Sequence, residues 1–312
     1  MKEEIARQWD VGEIGSITPL GGGSINGAFR VEAGAGSFHL RVYRDAQRQT
    51  VEREHAAIAL ALAVGIPTPP IIGTQQVGTI GRVGGQWAAL FRVAPGEPVP
   101  RGILTPENAA SLGGFLAGLH LRLPEHVPFM VPEISLASIE QTVARLEQIE
   151  VVLLALPQPD EVDGWARERT RQRLKHLRTS ALPDHMPVFS RRFLHGDYHD
   201  ANVFFVDGQP AAIIDWEQTR LAPRAWEIVR ALHLSMGLQP QLCTAFLAGY
   251  REVLSLPVAE LEDGAKFYAA LQERNVWTYE SVYLENNPGP KVFIRPPPYV
   301  PFAQAWREAE LR

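Results

Sequence analysis

The stretch whose reading decides the fold is Phe193-Leu-His-Gly-Asp-Tyr-His-Asp-Ala-Asn202, followed by Ile213-Ile-Asp-Trp216. A polar turn carrying His195, Asp197 and Asn202 interrupts apolar runs, and Asp215 closes a second run eighteen residues after Asp197. Metal-assisted phosphoryl transfer needs this set: one carboxylate to meet the proton of a nucleophile, and an amide oxygen and a second carboxylate for a divalent cation. Mg²⁺ keeps several waters, so Asn202 and Asp215 suffice beside substrate phosphates. Asp215 follows the strand-like run Ala211–Ile214, which gives it a rigid base. The rival reading is ordinary turn polarity beside a β-hairpin. The spacing H-x-D-x-x-x-x-N, with a later Asp at a strand end, favours the chemistry.

Both segments together, His195-Gly-Asp197-Tyr-His-Asp-Ala-Asn202 and Ile213-Ile-Asp215-Trp-Glu217, resemble the signature of the aminoglycoside phosphotransferase and choline kinase superfamily. The resemblance runs from about Leu20 to Leu234. It implies a protein-kinase-like bilobal fold and transfer of the γ-phosphate of ATP or GTP, with Mg²⁺, to a hydroxyl of a small molecule. Asp197 then corresponds to the catalytic base, Asn202 and Asp215 to the Mg²⁺ ligands, and His195 to a structural histidine. Asp200-Ala201 stands where the family usually has Pro-Gly, and Asp200 reads as an exposed turn carboxylate. Pro223-Arg-Ala-Trp-Glu227 resembles the segment after the metal Asp, with Glu227 anchoring the loop by hydrogen bonds.

The nucleotide half is looser. Leu20-Gly-Gly-Gly-Ser-Ile-Asn-Gly27 lies between two strand-like segments. Glycines let backbone N–H groups approach phosphates, although neither the P-loop nor the dinucleotide pattern is present. By resemblance it is the nucleotide loop, with Gly22, Gly23, Ser24 and Asn26 near the phosphates. Arg41, in Phe38-His-Leu-Arg-Val-Tyr43, resembles the strand cation that reaches the α- and β-phosphates, where Lys is commoner. Arg keeps the charge and grips phosphate oxygens bidentately. Glu54 resembles its helix partner. Glu52 points from a different helix face and reads as solvated. Ala88–Val93 resembles the segment joining the lobes, with the backbone of Phe91 and Val93 meeting the adenine edge.

The rest of the chain sets the architecture. Ser16–Leu20, Ala28–Ala33 and Ser37–Tyr43 read as strands between Gly-rich turns. Arg48–Val64 has helical spacing and stops at Gly65, with Pro67 beyond. Ile71–Val77 and Gln86–Val93 read as further strands, and Ala94-Pro-Gly-Glu-Pro98 as a hinge. Thr105 as N-cap, Pro106 at N1 and Asn108 at N3 start a helix to about His120. Gly113, Gly114 and Gly118 on it predict close helix packing. Ile134–Leu156, Asp163–Leu177, Arg224–Leu234, Pro240–Leu254 and Val258–Tyr283 read as helices, and Val203–Val206 with Ala211–Ile214 as a hairpin around Asp207-Gly208. The expectation is an α+β bilobal, protein-kinase-like fold. A small antiparallel-sheet N-lobe with one helix (1–95) binds nucleotide, and a larger, mainly helical C-lobe with a small β-hairpin (96–312) carries the catalytic loop and the acceptor site.

A net charge of −5 over 312 residues gives no sign of a nucleic-acid or membrane partner. The charged start Met1-Lys-Glu-Glu-Ile-Ala-Arg7 has no signal-peptide core, and the apolar run Ala56–Ile66 is too short to span a bilayer, so the reading is cytoplasmic. Cys243, the single cysteine, excludes an intrachain disulfide and reads as buried. Phe267, Tyr268, Trp277, Tyr279 and Tyr283, with Trp216, are either core or a cage for a cationic acceptor, with core favoured. Glu273, Glu280 and Glu285 read as surface carboxylates, with an amino-group contact as the alternative. Acceptors in view are an amino-alcohol, a homoserine-like or choline-like molecule, or an amino sugar. Three rivals stay open: a protein kinase, although D-F-G and A-P-E are missing, a nucleotide-binding pseudokinase, against which the intact Asp197, Asn202 and Asp215 speak, and a metal-dependent hydrolase on the same carboxylates, against which the small number of ligands for a metal pair speaks.

Overall fold

The computed structural model describes residues 1–21, 26–44, 46–100, 102–180 and 187–311. They fall into two compact units, 1–133 with 190–257, and 134–189 with 258–312. The first unit opens with a helix, α1 (Lys2–Gln8), absent from the sequence reading because seven residues are too few for a clear period. Five antiparallel strands follow in the order β1-β2-β3-β5-β4: β1 Ile14–Pro19, β2 Gly27–Ala33, β3 Gly36–Val42, β4 Gly81–Val83 and β5 Gln86–Arg92. Strand alternation sends Phe38, Leu40 and Val42 of β3 into a core with Ile5, Trp9, Val31 and Leu90. His39 and Arg41 therefore take the opposite face. There α2 (Arg48–Ala63) sets Val51, Glu54, His55 and Ile58 on its buried stripe, with His55 edge-on to Phe91.

The predicted strand Ile71–Val77 is not one. Ile71 makes only an isolated bridge to Phe91, and Thr74 turns its hydroxyl onto the Gln76 carbonyl. The missing strand is β4, joined to β5 through Gly84 and Gly85, both with positive φ (59° and 79°), as a tight hairpin needs.

The proposed hinge Ala94–Pro98 contains β6 (Glu97–Pro98), which pairs with β8 of the later hairpin. Helix α3 (Pro106–Arg122) starts as its sequence predicts: Asn108 N–H donates to Thr105 Oγ1 (3.2 Å) and the Asn108 side chain caps Thr105 N–H in return. Beyond it come β7 (Arg191–Leu194), the hairpin β8 (Val203–Val206) and β9 (Gln209–Ile213), β10 (Arg220–Pro223), which pairs with β7, then α6 (Arg224–Leu234) and α7 (Pro240–Val253). Asp207 and Gly208 turn the hairpin with φ of 50° and 75°. Cys243 on α7 is buried, and burial pushes its thiol up to about 12, so it is inert at neutral pH.

The second unit is helical: α4 (Ile139–Ala155), α5 (Glu161–Thr179), α8 (Val258–Arg274), α9 (Trp277–Tyr283) and α10 (Phe302–Glu308). Leu146, Ile149, Leu153, Ala166, Leu174, Leu177, Tyr283 and Ile294 form its core. The single helix expected over Val258–Tyr283 breaks at Asn275-Val276, where the Asn275 side chain accepts the Trp277 N–H (3.1 Å) and offers the backbone an alternative to the helix. Of the tail aromatics Phe267, Tyr268 and Tyr283 are buried packing residues, Tyr268 against Phe302 and Tyr283 on Asp163, whereas Tyr279 is half-buried and Trp277 is exposed, contrary to the core expectation. Glu273 is buried rather than superficial and accepts the Tyr299 hydroxyl, while Glu280 pairs with Arg145. No helix among the described residues is long and apolar enough to cross a membrane.

Candidate active site

All described residues of the candidate site lie in the first unit. β7, held by β10, delivers His195 to the end of a strand. His195 Nε2–H donates to the Ile214 carbonyl (3.0 Å) and its Nδ1 accepts the Asp197 N–H (3.2 Å). Those two bonds define one neutral tautomer, and burial lowers the imidazole pKa accordingly. The ring also sits edge-on to the buried Trp216 at 4.7 Å. His195 is thus a scaffold for the loop.

Gly196 has a φ of 85°, and a Cβ there would strike the Gln218 carbonyl. Its N–H donates to Glu227 Oε1. Glu227 Oε2 accepts from His120 Nε2 (2.9 Å), and His120 Nδ1 faces the Tyr250 hydroxyl at 2.8 Å. Burial, the largest influence, would raise Glu227, but the His120 and Gly196 hydrogen bonds and the neighbouring imidazoles His120 and His195 together lower it and keep the carboxylate ionised, while burial lowers His120. Glu227 anchors the loop from α6. Tyr198 adds a second anchor by donating its hydroxyl to the Leu112 carbonyl of α3 (2.7 Å).

Asp197 is partly exposed. Burial pushes its pKa up, but His199, 3.7 Å from Oδ2, and Arg230, whose Nη2 donates to Oδ1, prevail and pull it down to about 2. Asn202 ends a short 3₁₀ turn (Asp200–Asn202) and turns its Nδ2 onto the Asp197 carbonyl (3.0 Å) and Oδ2 (3.3 Å). Its amide oxygen faces away from that contact. Its backbone carbonyl accepts the Ile214 N–H (3.0 Å), so Asn202 and Asp215 are held together by the ladder that continues the hairpin. Asp215 itself is left-handed (φ 70°, ψ 61°), a conformation costing of order 1 kcal/mol for a non-glycine residue. Asp200, read as an exposed turn residue, is buried, its N–H on Ser235 Oγ (2.9 Å).

Arg41 is the hub of the other half. It donates to Glu54 Oε1 (3.0 Å), to Asp215 Oδ1 from both Nη atoms (3.1 Å each) and to Glu217 Oε2 (2.6 Å). One guanidinium thus faces three carboxylates. Burial raises Glu54 to about 7 against the pull of Arg41, and it raises Glu217 as well. Asn26, at the start of β2, donates to the same Glu217 oxygen (3.0 Å). Glu52 instead makes an exposed pair with Arg48. Phe91 is engaged in the β3–β5 ladder opposite His39, whereas Val93 lies past the strand end, and among the described residues its backbone makes no hydrogen bond to another backbone group. Gly22, Gly23 and Ser24 lie outside the described residues.

The cation fit is decided by charge and donor type. Asn202 offers an amide oxygen and Asp215 a carboxylate, on segments joined by the Ile214 N–H, and the three carboxylates on Arg41 leave that region net negative. Among the described residues no group of three or more His, Cys, Asp or Glu forms a ready-made metal cage. That suits Mg²⁺, which takes one or two protein oxygens plus phosphates and water, and it disfavours a protein-held metal pair.

A family model for the phosphotransferase enzyme family matches residues 16–267. The chain belongs to that family. An uncharacterized protein of Synechocystis sp., sll1119, is 27% identical over 198 residues, which is 63% of this chain and 52% of that protein; the match thus spans about half the length of that relative. Among solved structures, a spectinomycin phosphotransferase with ADP and spectinomycin has a TM-score of 0.70 at 16% identity, covering 100% of this chain and 98% of that one. A microcompartment-associated aminopropanol kinase gives 0.61 at 16% identity, covering 100% and 98%. An amicoumacin kinase with AMP-PNP and Ca²⁺ gives 0.62 at 14% identity, covering 97% and 95%. At these identities the likeness establishes the phosphotransferase fold, in agreement with the antiparallel sheet, helix α2 against it and the mainly helical remainder; α1, on the other face, is a second helix beside the one expected there.

Glu217, Arg230 and Arg220 had no role in the sequence reading. A signal for Arg230 existed: it lies three residues after the loop anchor Glu227 on α6, hence on the same helix face. Glu217 closes the Asp215-Trp-Glu run, but only the 3₁₀ turn Trp216–Gln218 brings it to Arg41.

The buried histidines give a pH prediction. Burial lowers His39 and His55 to about 4, and it lowers His120 and His195 as well. Below the unfolded value of 6.5 the unfolded chain binds protons that the fold refuses, so stability falls as pH drops towards about 4. Glu54, raised from 4.5 to about 7, has the opposite sign: its contribution is lost as pH rises through about 7. Glu217, also raised by burial, has the same sign as Glu54, and four histidines outweigh two glutamates. The urea midpoint should drop between about pH 7 and about pH 5; an unchanged or higher midpoint at the lower pH would show that these imidazoles are protonated in the fold.

Proposed function

We propose that the protein is a small-molecule kinase that moves the γ-phosphate of ATP, or of GTP, to an acceptor hydroxyl. The observation that carries this reading is Asn202, which binds Asp197 through its side-chain amide and holds the segment of Asp215 through its carbonyl. One residue thereby couples a proton-accepting carboxylate to a cation site. In this reading Asn202 and Asp215 hold Mg²⁺, which supplies charge neutralisation on the phosphates.

The chain's own groups do the rest. Arg41, fixed by Glu54, offers its guanidinium to the phosphates. Asn26 and the preceding glycine loop, with Gly22, Gly23 and Ser24, border them, and the segment of Phe91 and Val93 meets the base. Asp197 orients the acceptor hydroxyl in line. The acceptor oxygen bonds to the γ-phosphorus, the bond to the bridging oxygen of ADP breaks, and the hydroxyl proton passes to Asp197 and on to solvent. Positioning and charge neutralisation supply most of the rate. The acceptor belongs among amino-alcohols, homoserine-like or choline-like molecules and amino sugars. The division at about residue 95 into a nucleotide-binding lobe and an acceptor-side lobe is part of the same reading, as is a cytoplasmic location.

ATP with Mg²⁺ should raise Tm by several degrees, since a ligand at a hundredfold excess over Kd adds about 2.7 kcal/mol. ADP release should then depend on a small-molecule hydroxyl acceptor. A shift with no turnover on any acceptor would favour a pseudokinase, and transfer to protein but to no metabolite a protein kinase.

A further inference from the structure

The charge around Asp197 says more about the acceptor than its hydroxyl does. Two guanidinium groups stand beside the candidate base. Arg230 donates from Nη2 to Asp197 Oδ1 and from Nη1 to the Tyr198 carbonyl (3.4 Å). Its side chain and that of Asp197 are each 19% exposed, so this is a partly buried pair open to solvent on one side. Arg220 comes from β10 and passes next to the loop glycine, where a Cβ on Gly196 would lie 3.2 Å from its Nε. It lies 5.5 Å from the Trp226 ring centre and donates to two uncharged oxygens of Gln218, the carbonyl (2.9 Å) and Oε1 (2.7 Å). The His199 imidazole lies 3.7 Å from Asp197 Oδ2. Of the nearby carboxylates, Asp215 and Glu217 are committed to Arg41, Glu227 is committed to Gly196 and His120, and Asp200 is buried in its turn. Asp197 is therefore one accessible carboxylate against two guanidinium groups.

That balance is the reverse of what a cationic acceptor needs. An ammonium or quaternary amine carried to Asp197 would meet two like charges, an arrangement that rejects a ligand. The fork of Arg230 has N–H groups beyond the two used on Asp197 and Tyr198, and planar forks suit carboxylate and phosphate oxygens.

We propose that the acceptor carries a carboxylate or phosphate group close to its reacting hydroxyl, and that Arg230 binds this anionic group and so sets the hydroxyl against Asp197. Arg220 adds to the field without contact. The inference rests on the kinase reading and narrows its acceptor to hydroxy acids, hydroxy amino acids or hydroxyalkyl phosphates. Arg230 is a specificity-determining residue here.

The test uses the full chain with ATP and Mg²⁺ and reads ADP release on matched acceptors. The pairs are glycerate against glycerol, homoserine against 2-aminobutane-1,4-diol and glycerol 3-phosphate against glycerol, with choline and kanamycin as cations. The expected result is about a tenfold to hundredfold higher kcat/KM for an anionic member, as a hydrogen bond to a charged group provides. Arg230→Gln should remove that preference mainly through KM, and Arg230→Lys should restore part of it. Preference for a neutral or cationic member, or an equal loss on both members in Arg230→Gln, overturns the inference and leaves the kinase intact.

If no pure compound is turned over, label from [γ-³²P]ATP is followed into a small-molecule extract. The extract is first split on an anion exchanger in alkali, where amines are neutral. A labelled product from the retained pool supports the inference. One from the unretained pool overturns it. Label in neither pool overturns the kinase reading itself, and this inference with it.

Discussion

Asp197→Asn should lower kcat by about 10²–10⁴-fold, the range for loss of a positioned general base, while the Tm rise caused by ATP and Mg²⁺ persists. The amide keeps the shape and still accepts one hydrogen bond from Arg230, but it cannot take a proton. Arg41, Glu54 and Asp215, proposed to meet the nucleotide and its cation, are bonded to one another and not to the Asp197 side chain, and Asn202 keeps its bond to the Asp197 backbone carbonyl (3.0 Å), so nucleotide binding should survive the substitution. With Asp197 held at about 2, the free enzyme keeps this carboxylate ionised throughout the neutral range. A pH–rate profile in kcat/KM should accordingly show no break near the ordinary aspartate value, and any acid limb belongs to another group. Retention of more than about a tenth of wild-type kcat in Asp197→Asn would remove Asp197 from the role of base.

Gly113→Ala should destabilise the fold by about 2–4 kcal/mol, although alanine is the better helix former by about 1 kcal/mol. Helices α3 and α7 approach so closely that a Cβ on Gly113 would overlap the Phe246 carbonyl, and one on Gly249 the Ala110 carbonyl. Both obstacles are backbone and cannot rotate away. The cost reaches the site, because α3 carries Leu112, which receives the Tyr198 hydroxyl, and His120, which orients Glu227 on the Gly196 N–H. Forcing the helices apart therefore loosens the loop of Asp197. Gly118→Ala is the matched control: it lies on the same helix, its Cβ would meet nothing within 4 Å, and it should gain about 0.5–1 kcal/mol in urea unfolding. If both variants behave alike, the contact between α3 and α7 does not set the spacing.

That contrast also marks the limit of the sequence. Gly113, Gly114 and Gly118 look equivalent along the chain and all suggested close packing, yet a Cβ on Gly118 would meet open space. Which glycine meets a neighbour depends on the crossing point of two helices more than a hundred residues apart. The strand placed at Ile71–Val77 failed for a related reason. Its apolar residues suit a strand, but the ladder edge of β5 from Gln86 to Ala88 is filled by β4, whose Gly84-Gly85 turn is the stronger local signal, and only the bridge at Phe91 is left to Ile71. Local chemistry was readable wherever it acts over a few residues: the Thr105 cap, the Asp207-Gly208 turn, the stop at Gly65.

The same division runs through the site. The residues from His195 to Asp215 determined by themselves the family, the type of chemistry and the candidate base and metal ligands, because the spacing of those groups on one loop and one hairpin is a local matter. Glu54 could be preferred to Glu52 from helix phase alone. Only the tertiary structure decided that Arg41 binds Glu217 as well as Glu54 and Asp215, that Asp200 is buried, that Arg230 binds Asp197 and that Arg220 passes beside Gly196. Coulomb and desolvation energies depend on distance through space and on access to water. Neither quantity is written along a chain whose interacting charges lie 13 to 176 residues apart.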